Sequence, residues 1–245
     1  FERTKKSILI TPEGERVIQT FKDILNQVQH ISEITTSKHH TTTLSIGVFP
    51  TLGPYVLPRL IPVIKSQYPN IKLTLIEEKT HLLESKLKEG TLDCALLALP
   101  IHASDFDHFS LFDDPFYLAV HHEHALAHLP QIDAQQMPHD PLLLLQEGHC
   151  LANQAIDFCS SHHIATDDDF RASSLETLRG MVAANSGITL MPRLCIRNTD
   201  TFIRYIPFKP PVPSRTIALS WRKSSLKIPF FTTLSQLIAS AFSDS

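Results

Sequence analysis

The sequence predicts an α/β chain of two lobes with a long amphipathic helix in front of them. Three observations carry this. Strand and helix signals alternate through Leu97, the alternation restarts at Phe116, and residues 17–34 carry an apolar stripe at helical spacing.

Ile8-Leu9-Ile10 reads as the end of a short strand. Thr11-Pro12-Glu13 then supplies an N-cap, a proline at the first helical position and an acidic first turn. Val17, Ile18, Phe21, Ile24, Leu25, Val28, Ile31 and Ile34 form the stripe, and the polar run 35–43 is a linker. A helix so striped, beside a linker, is expected to pack on a second copy of itself; packing on its own domain is the alternative.

Residues 44–48 alternate as a strand, 55–67 read as a helix despite Pro58 and Pro62, and 71–76 as the next strand. A helix over 81–88 is stopped by Gly90, and 92–97 is a buried strand. This order predicts a mainly parallel sheet with helices on both faces. The second unit has strands at 116–120 and 142–145, a helix at 150–162 and a short strand at 170–172. Ser174 caps a helix running through Ala184 and ended by Gly187, before a strand at 188–191. A strand at 216–221 and a helix at 229–242 close the chain. The units join near Asp113-Asp114-Pro115, which predicts a cleft between two lobes. Periodicity leaves open whether the last strand and helix return to the first lobe.

Length and composition narrow the class. The 245 residues, 42% of them hydrophobic, suffice for one large or two small cores. No apolar run approaches the roughly 20 residues of a membrane span, and no signal peptide is evident. With no initiator Met, the chain is expected to be a fragment or a processed product. Four cysteines do not make a secreted disulfide scaffold, so a reducing cytoplasm is expected, with Cys94 and Cys195 as core residues. The net charge of −3 gives no overall electrostatic footprint for nucleic acid. Arg3, Lys5 and Lys6 form a basic end that reads as solvated, with a phosphate contact as the alternative. Of the fourteen histidines, His121, His122, His124 and His128 cluster, the last two at a spacing that can chelate a metal on a helix. No Cys or carboxylate set completes a metal motif, so a solvated loop is expected there, and no metal or cofactor.

The chemistry concentrates at residues 148–159. Cys150 stands beside His149 at a helix start, and Cys159 follows nine residues later. Unbroken helix holds the two about 13 Å apart along its axis. A disulfide needs Cα atoms about 5.5–6 Å apart, so joining them demands a change of shape. A thiol reacts as the thiolate, and the helix N-terminus and His149 are two local devices for favouring that form at Cys150. Cys159, among Ala155, Ile156 and Phe158, is expected to be buried and inert.

The whole pattern resembles the LysR-type transcriptional regulators. The pieces are Phe1-Glu2-Arg3-Thr4, Ile10-Thr11-Pro12-Glu13-Gly14, Leu57-Pro58-Arg59-Leu60, Tyr68-Pro69 and Gly90-Thr91-Leu92-Asp93. A closer resemblance, covering essentially the whole chain, is to the hydrogen-peroxide-sensing members of that family. It rests on residues 51–55 (Thr-Leu-Gly-Pro-Tyr), Thr80-His81, Leu92-Asp93-Cys94, Gly148-His149-Cys150 with Cys159, residues 170–179, residues 187–190 and Arg215-Thr216-Ile217.

The resemblance implies a periplasmic-binding-protein-like regulatory domain of two Rossmann-like subdomains, preceded by a linker helix. Residues 43–114 plus 217–245 would form subdomain I and 115–216 subdomain II, with 12–42 as linker helix and hinge. Residues 1–11 would be the remnant of a winged helix-turn-helix, with Arg3 left from its DNA-backbone contacts. It implies that Cys150 is the peroxidatic thiol and Cys159 the resolving one, joined in an intramolecular disulfide. Thr51, Thr80, His149 and Arg215 would line the peroxide pocket. One position departs from the family: Asp169 stands where a pocket histidine is expected, and a carboxylate there would oppose thiolate formation or need a positive partner such as His149 or Arg215. The implied partners are hydrogen peroxide, promoter DNA, a second copy as dimer or tetramer, RNA polymerase, and a glutaredoxin- or thioredoxin-type reductant. Two other readings of the residues compete: a LysR-type regulator that binds a small organic effector between the lobes, and a thiol peroxidase.

Overall fold

Thr11 begins the first helix as its side chain predicts. Gly14 N–H donates to Thr11 Oγ1 at 3.1 Å, and Glu15 N–H to the Thr11 carbonyl at 2.9 Å. The resulting helix α1 (Pro12–Thr35) follows a two-stranded ribbon in which β1 (Glu2–Arg3) pairs antiparallel with β2 (Ile8–Leu9). The computed structural model describes residues 2–3, 8–35, 43–101, 103–137, 142–146, 148, 150–162 and 166–242. Val17, Phe21, Ile24, Leu25 and Val28 on α1 are all exposed, Leu25 to 66%. The polar linker at 36–42 lies outside the described residues, as do the Arg3 side chain and Lys5 and Lys6.

The first unit runs β3 (Thr43–Val48), α2 (Gly53–Gln67), β4 (Lys72–Glu77), α3 (Thr80–Glu89), β5 (Cys94–Ala98). Gly90 ends α3 in the left-handed region at φ 80°, where a side chain would be strained. The chain then crosses on β6 (Phe106–His121) into β7 (Leu142–Leu145), α4 (Cys150–His162), β8 (Thr166–Ala172), α5 (Leu175–Ala183), β9 (Thr189–Pro192) and β10 (Ile203–Pro207). It returns on β11 (Ser214–Arg222) to α6 (Ile228–Phe242). Ser174 caps α5 by accepting Thr177 N–H at 3.2 Å. That helix ends at Ala183, and the left-handed residue after it is Asn185 (φ 58°) rather than Gly187.

The main sheet has the order β10-β6-β11-β5-β3-β4, with β9 also on β6. Only β3–β4 and β3–β5 pair parallel within it; β5–β11, β11–β6, β6–β9 and β6–β10 are antiparallel. The expected mainly parallel sheet is therefore mixed. The reason is topological: the chain leaves the first unit on β6 and comes back on β11, and neighbouring strands running in opposite senses must pair antiparallel. The sequence also shows only the second half of β6. Pro115, which argues against a continuous strand, sits where β6 changes partner, from β11 (through Ser214 opposite Pro115) to β9 and β10.

Among the described residues the buried apolar side chains fall into three groups. One joins Ile46, Val48, Leu60 and Leu96 to Leu219, Phe231 and Ile238, so the last strand and helix pack on the first unit. The other two lie within 116–208, one around Leu145, Leu178 and Met191 and one around Leu144, Phe158 and Cys159.

Candidate functional site at the start of α4

Arg215 organises the site from beneath. Its side chain, on β11, is fully buried, and the register sets it opposite Asp114 of β6, which is equally buried. Arg215 Nε and Nη2 donate to Asp114 Oδ2 at 3.0 and 2.8 Å. Nη1 donates to Thr51 Oγ1 and Nη2 to the Thr51 carbonyl, both at 3.1 Å. The guanidinium lies 5.4 Å from the Phe49 ring centroid, and Asp114 Oδ1 accepts Leu194 N–H at 3.0 Å. Two charges withdrawn from water survive because each satisfies the other and the remaining valences reach the backbone.

Above this pair stands Cys150, half-buried, a free thiol at the first position of α4. Gly148, two residues earlier, takes φ 87°, and a Cβ there would meet Lys79 Cδ at 3.1 Å. Burial pushes the Cys150 thiol up from its ordinary value. The Arg215 charge, the Thr51 and Thr80 hydroxyls and the Leu151 N–H pull it back, but burial prevails. The devices that favour thiolate are thus present and outweighed in the closed site. Neither threonine caps its helix: the residues in the capping positions of α2 and α3 are Leu52 and Lys79, without side-chain caps. The Thr80 hydroxyl is buried with no hydrogen-bond partner among the described residues.

Cys159 lies nine residues further along the same helix, 2% exposed in the apolar group of Ala155 and Phe158. Burial pushes its thiol up to about 11. Both sulfurs are free, and the intact helix holds them about 13 Å apart along its axis. Cys150 packs against the first unit's core, Cys159 within the second's.

The structure thus brings together Cys150, Thr51, Thr80 and Arg215. His149 lies outside the described residues; Asp169 falls on β8, with its side chain outside them. Sequence reasoning missed Asp114, taken only as the joint between units, because its opposition to Arg215 depends on strand register. It also missed a second role for Cys195. That residue is core as expected, its thiol pushed up to about 12 by burial, but it also donates to the Thr51 carbonyl at 3.8 Å. Across the units, Tyr55 of α2 donates to Glu176 Oε1 of α5 at 2.9 Å, and Arg197 Nη2 reaches the same oxygen at 2.8 Å. Among the described residues no three His, Cys, Asp or Glu side chains are grouped to hold a metal, and no helix is long and apolar enough to cross a membrane.

The chain resembles known proteins along nearly all its length. A "Hydrogen peroxide-inducible genes activator" of Haemophilus influenzae is 39% identical over 228 residues, 91% of this chain and 76% of that protein. The "DNA-binding transcriptional dual regulator OxyR" of Escherichia coli K12 is 39% identical over 229 residues, 91% and 75% of the two chains. A crystal structure of the oxidized form of OxyR superposes with a TM-score of 0.76 at 38% identity, covering 83% of this chain and 97% of that one. Residues 37–243 match the LysR substrate binding domain. The chain belongs to the LysR family.

Proposed function

We propose that this chain is the sensing part of a hydrogen-peroxide-responsive, DNA-binding transcriptional regulator of oxidative-stress genes, switched by a Cys150–Cys159 disulfide. The observation that carries it is a thiol at the start of α4 that faces two hydroxyls and a buried guanidinium, with a second thiol on the same helix in a different core. The relatives named as peroxide-inducible activators and as OxyR support the same reading.

In the proposed chemistry the Cys150 thiolate attacks one peroxide oxygen and the O–O bond breaks. The product is a sulfenic acid, and the departing hydroxide takes a proton to become water. Thr51 and Thr80 hydroxyls orient the peroxide and, with Arg215, stabilise the charge that develops on the leaving oxygen. The Cys159 thiol then displaces water from the sulfenic acid, so the two thiols together supply the two electrons that reduce the peroxide. A glutaredoxin- or thioredoxin-type dithiol resets the switch by exchange. We assign His149 to the same pocket and Asp169 to the place of the family histidine. We also divide the chain into subdomain I (43–114 plus 217–245) and subdomain II (115–216), a division the separate cores support. The α1 stripe is assigned to self-association, and residues 1–11, with Arg3, to the edge of a DNA-binding unit.

Mass spectrometry after stoichiometric peroxide tests the proposal. A Cys150–Cys159 disulfide is expected in the wild type and a trappable sulfenic acid in Cys159→Ser. Two free thiols in the treated wild type reject it. Reductant-linked peroxide consumption at many turnovers would instead favour a peroxidase, and unchanged thiols with a bound organic acid a ligand-sensing regulator.

A further inference from the structure

Arg179 is buried on α5, and its hydrogen bonds run to Asp200, Tyr205 and Cys195 rather than to Cys150, Thr80 or Arg215. Its charge is met by the Asp200 carboxylate at Nη1, with Glu176 Oε2 3.5 Å from Nε. Nη1 also donates to the Tyr205 hydroxyl at 2.6 Å. The charge is thus compensated before Nη2 is counted. Nη2 donates to the Cys195 carbonyl, and that bond adds geometry: a planar fork anchored on Asp200 fixes where the carbonyl must lie.

The carbonyl belongs to the 3₁₀ turn Arg193–Cys195. So short a 3₁₀ helix makes few hydrogen bonds of its own, and ties from outside set its position. Arg179 holds the turn on one side. On the other, Leu194 N–H donates to Asp114 Oδ1 at 3.0 Å and the Cys195 thiol to the Thr51 carbonyl at 3.8 Å. Asp114 is the ion-pair partner of Arg215, and the same Thr51 carbonyl accepts Arg215 Nη2. One turn therefore carries the position of α5 into both supports of the Thr51 hydroxyl.

We propose that Arg179 is a positioning residue for the peroxide reaction: by holding the Cys195 carbonyl it fixes the turn against Asp114 and Thr51, and so aims the Thr51 hydroxyl at the bound peroxide. The proposal rests on the reading of Cys150 as the peroxidatic thiol.

Stopped-flow oxidation by hydrogen peroxide, set beside alkylation of Cys150 by iodoacetamide at the same pH, tests this in the reduced chain. Alkylation needs the thiolate but no oriented peroxide. Arg179→Met should slow oxidation about tenfold and leave alkylation within about twofold of the wild type. Arg179→Met with Asp200→Leu removes the carboxylate left unpaired, and should combine a wild-type thermal melt with the same slow oxidation. In Thr51→Val, itself slow, adding Arg179→Met should change the rate by less than about twofold, because both act through one hydroxyl. Oxidation at the wild-type rate in either Arg179 variant, alkylation slowed as much as oxidation, or a full multiplicative loss in the Thr51→Val background overturns the proposal. A wild type whose Cys150 stays unoxidised by peroxide overturns the peroxide reading itself, and the proposal falls with it.

Discussion

Of the five N–H donors on a guanidinium, four of Arg215's are committed, two to Asp114 and two to Thr51. One Nη1 hydrogen remains for the sulfur or the peroxide, so Arg215 serves the thiol mainly by its charge and by fixing Thr51. Arg215→Met should cost about 3–5 kcal/mol in urea unfolding, because it leaves Asp114 buried and uncompensated. Adding Asp114→Leu should restore most of that loss; a double variant no steadier than the single would refute the account. The thiol has its own signature. Because burial holds Cys150 above the ordinary thiol range, its oxidation rate should rise about tenfold per pH unit up to at least pH 9. A rate already level below about pH 8 would mean that the thiolate is formed in the resting site. On the proposed assignment of Asp169 to the pocket, Asp169→His should oxidise faster in stopped flow, and a slower variant would contradict that assignment. Cys150 and Cys159 were legible as residues because their spacing on a helix is itself a chemical statement. Asp114 was not, since a charge's partner across a sheet is a fact of register.

At the scale of elements, α4 cannot stay whole in the oxidised chain. Hydrogen exchange across residues 150–162 should accelerate on peroxide treatment, with loss of helical circular dichroism. Cys159→Ser should keep both signals near those of the reduced chain. Unaltered exchange in a chain proven to carry the disulfide would show that the helix had not opened. The long front helix offers a separate test. With Val17, Phe21 and Leu25 exposed, Phe21→Glu should lower the sedimentation mass of the chain; an unchanged mass would remove α1 from self-association. The N-cap at Thr11, the cap at Ser174 and the stop at Gly90 could be read directly because each is local chemistry. The first half of β6 and all of β10 could not. Phe106–Asp114 is crowded with charge, β10 is a short outer strand ending at Pro207, and both depend on neighbours distant in sequence.

The whole molecule carries several thiols whose protons are held more tightly folded than unfolded. Cys159 is raised to about 11, Cys195 to about 12, and Cys94 further still, all first by burial. Above the ordinary thiol range the unfolded chain has released protons that the folded chain retains, so stability falls as pH rises. The urea midpoint under reductant should drop between about pH 8 and about pH 10.5, and a rise over that interval would contradict the burial of these sulfurs. At this scale the two-unit α/β plan was visible in the restart of the alternation, while the direction of pairing was hidden in the return on β11. The placement of the two sulfurs has a consequence for energetics between redox states. To close the disulfide the chain must surrender part of α4 and draw sulfur from at least one of two cores. Every 1.4 kcal/mol so surrendered makes the couple about 30 mV more oxidising. The packing around α4 thereby acts as the reference against which a cell's thiol pool is compared.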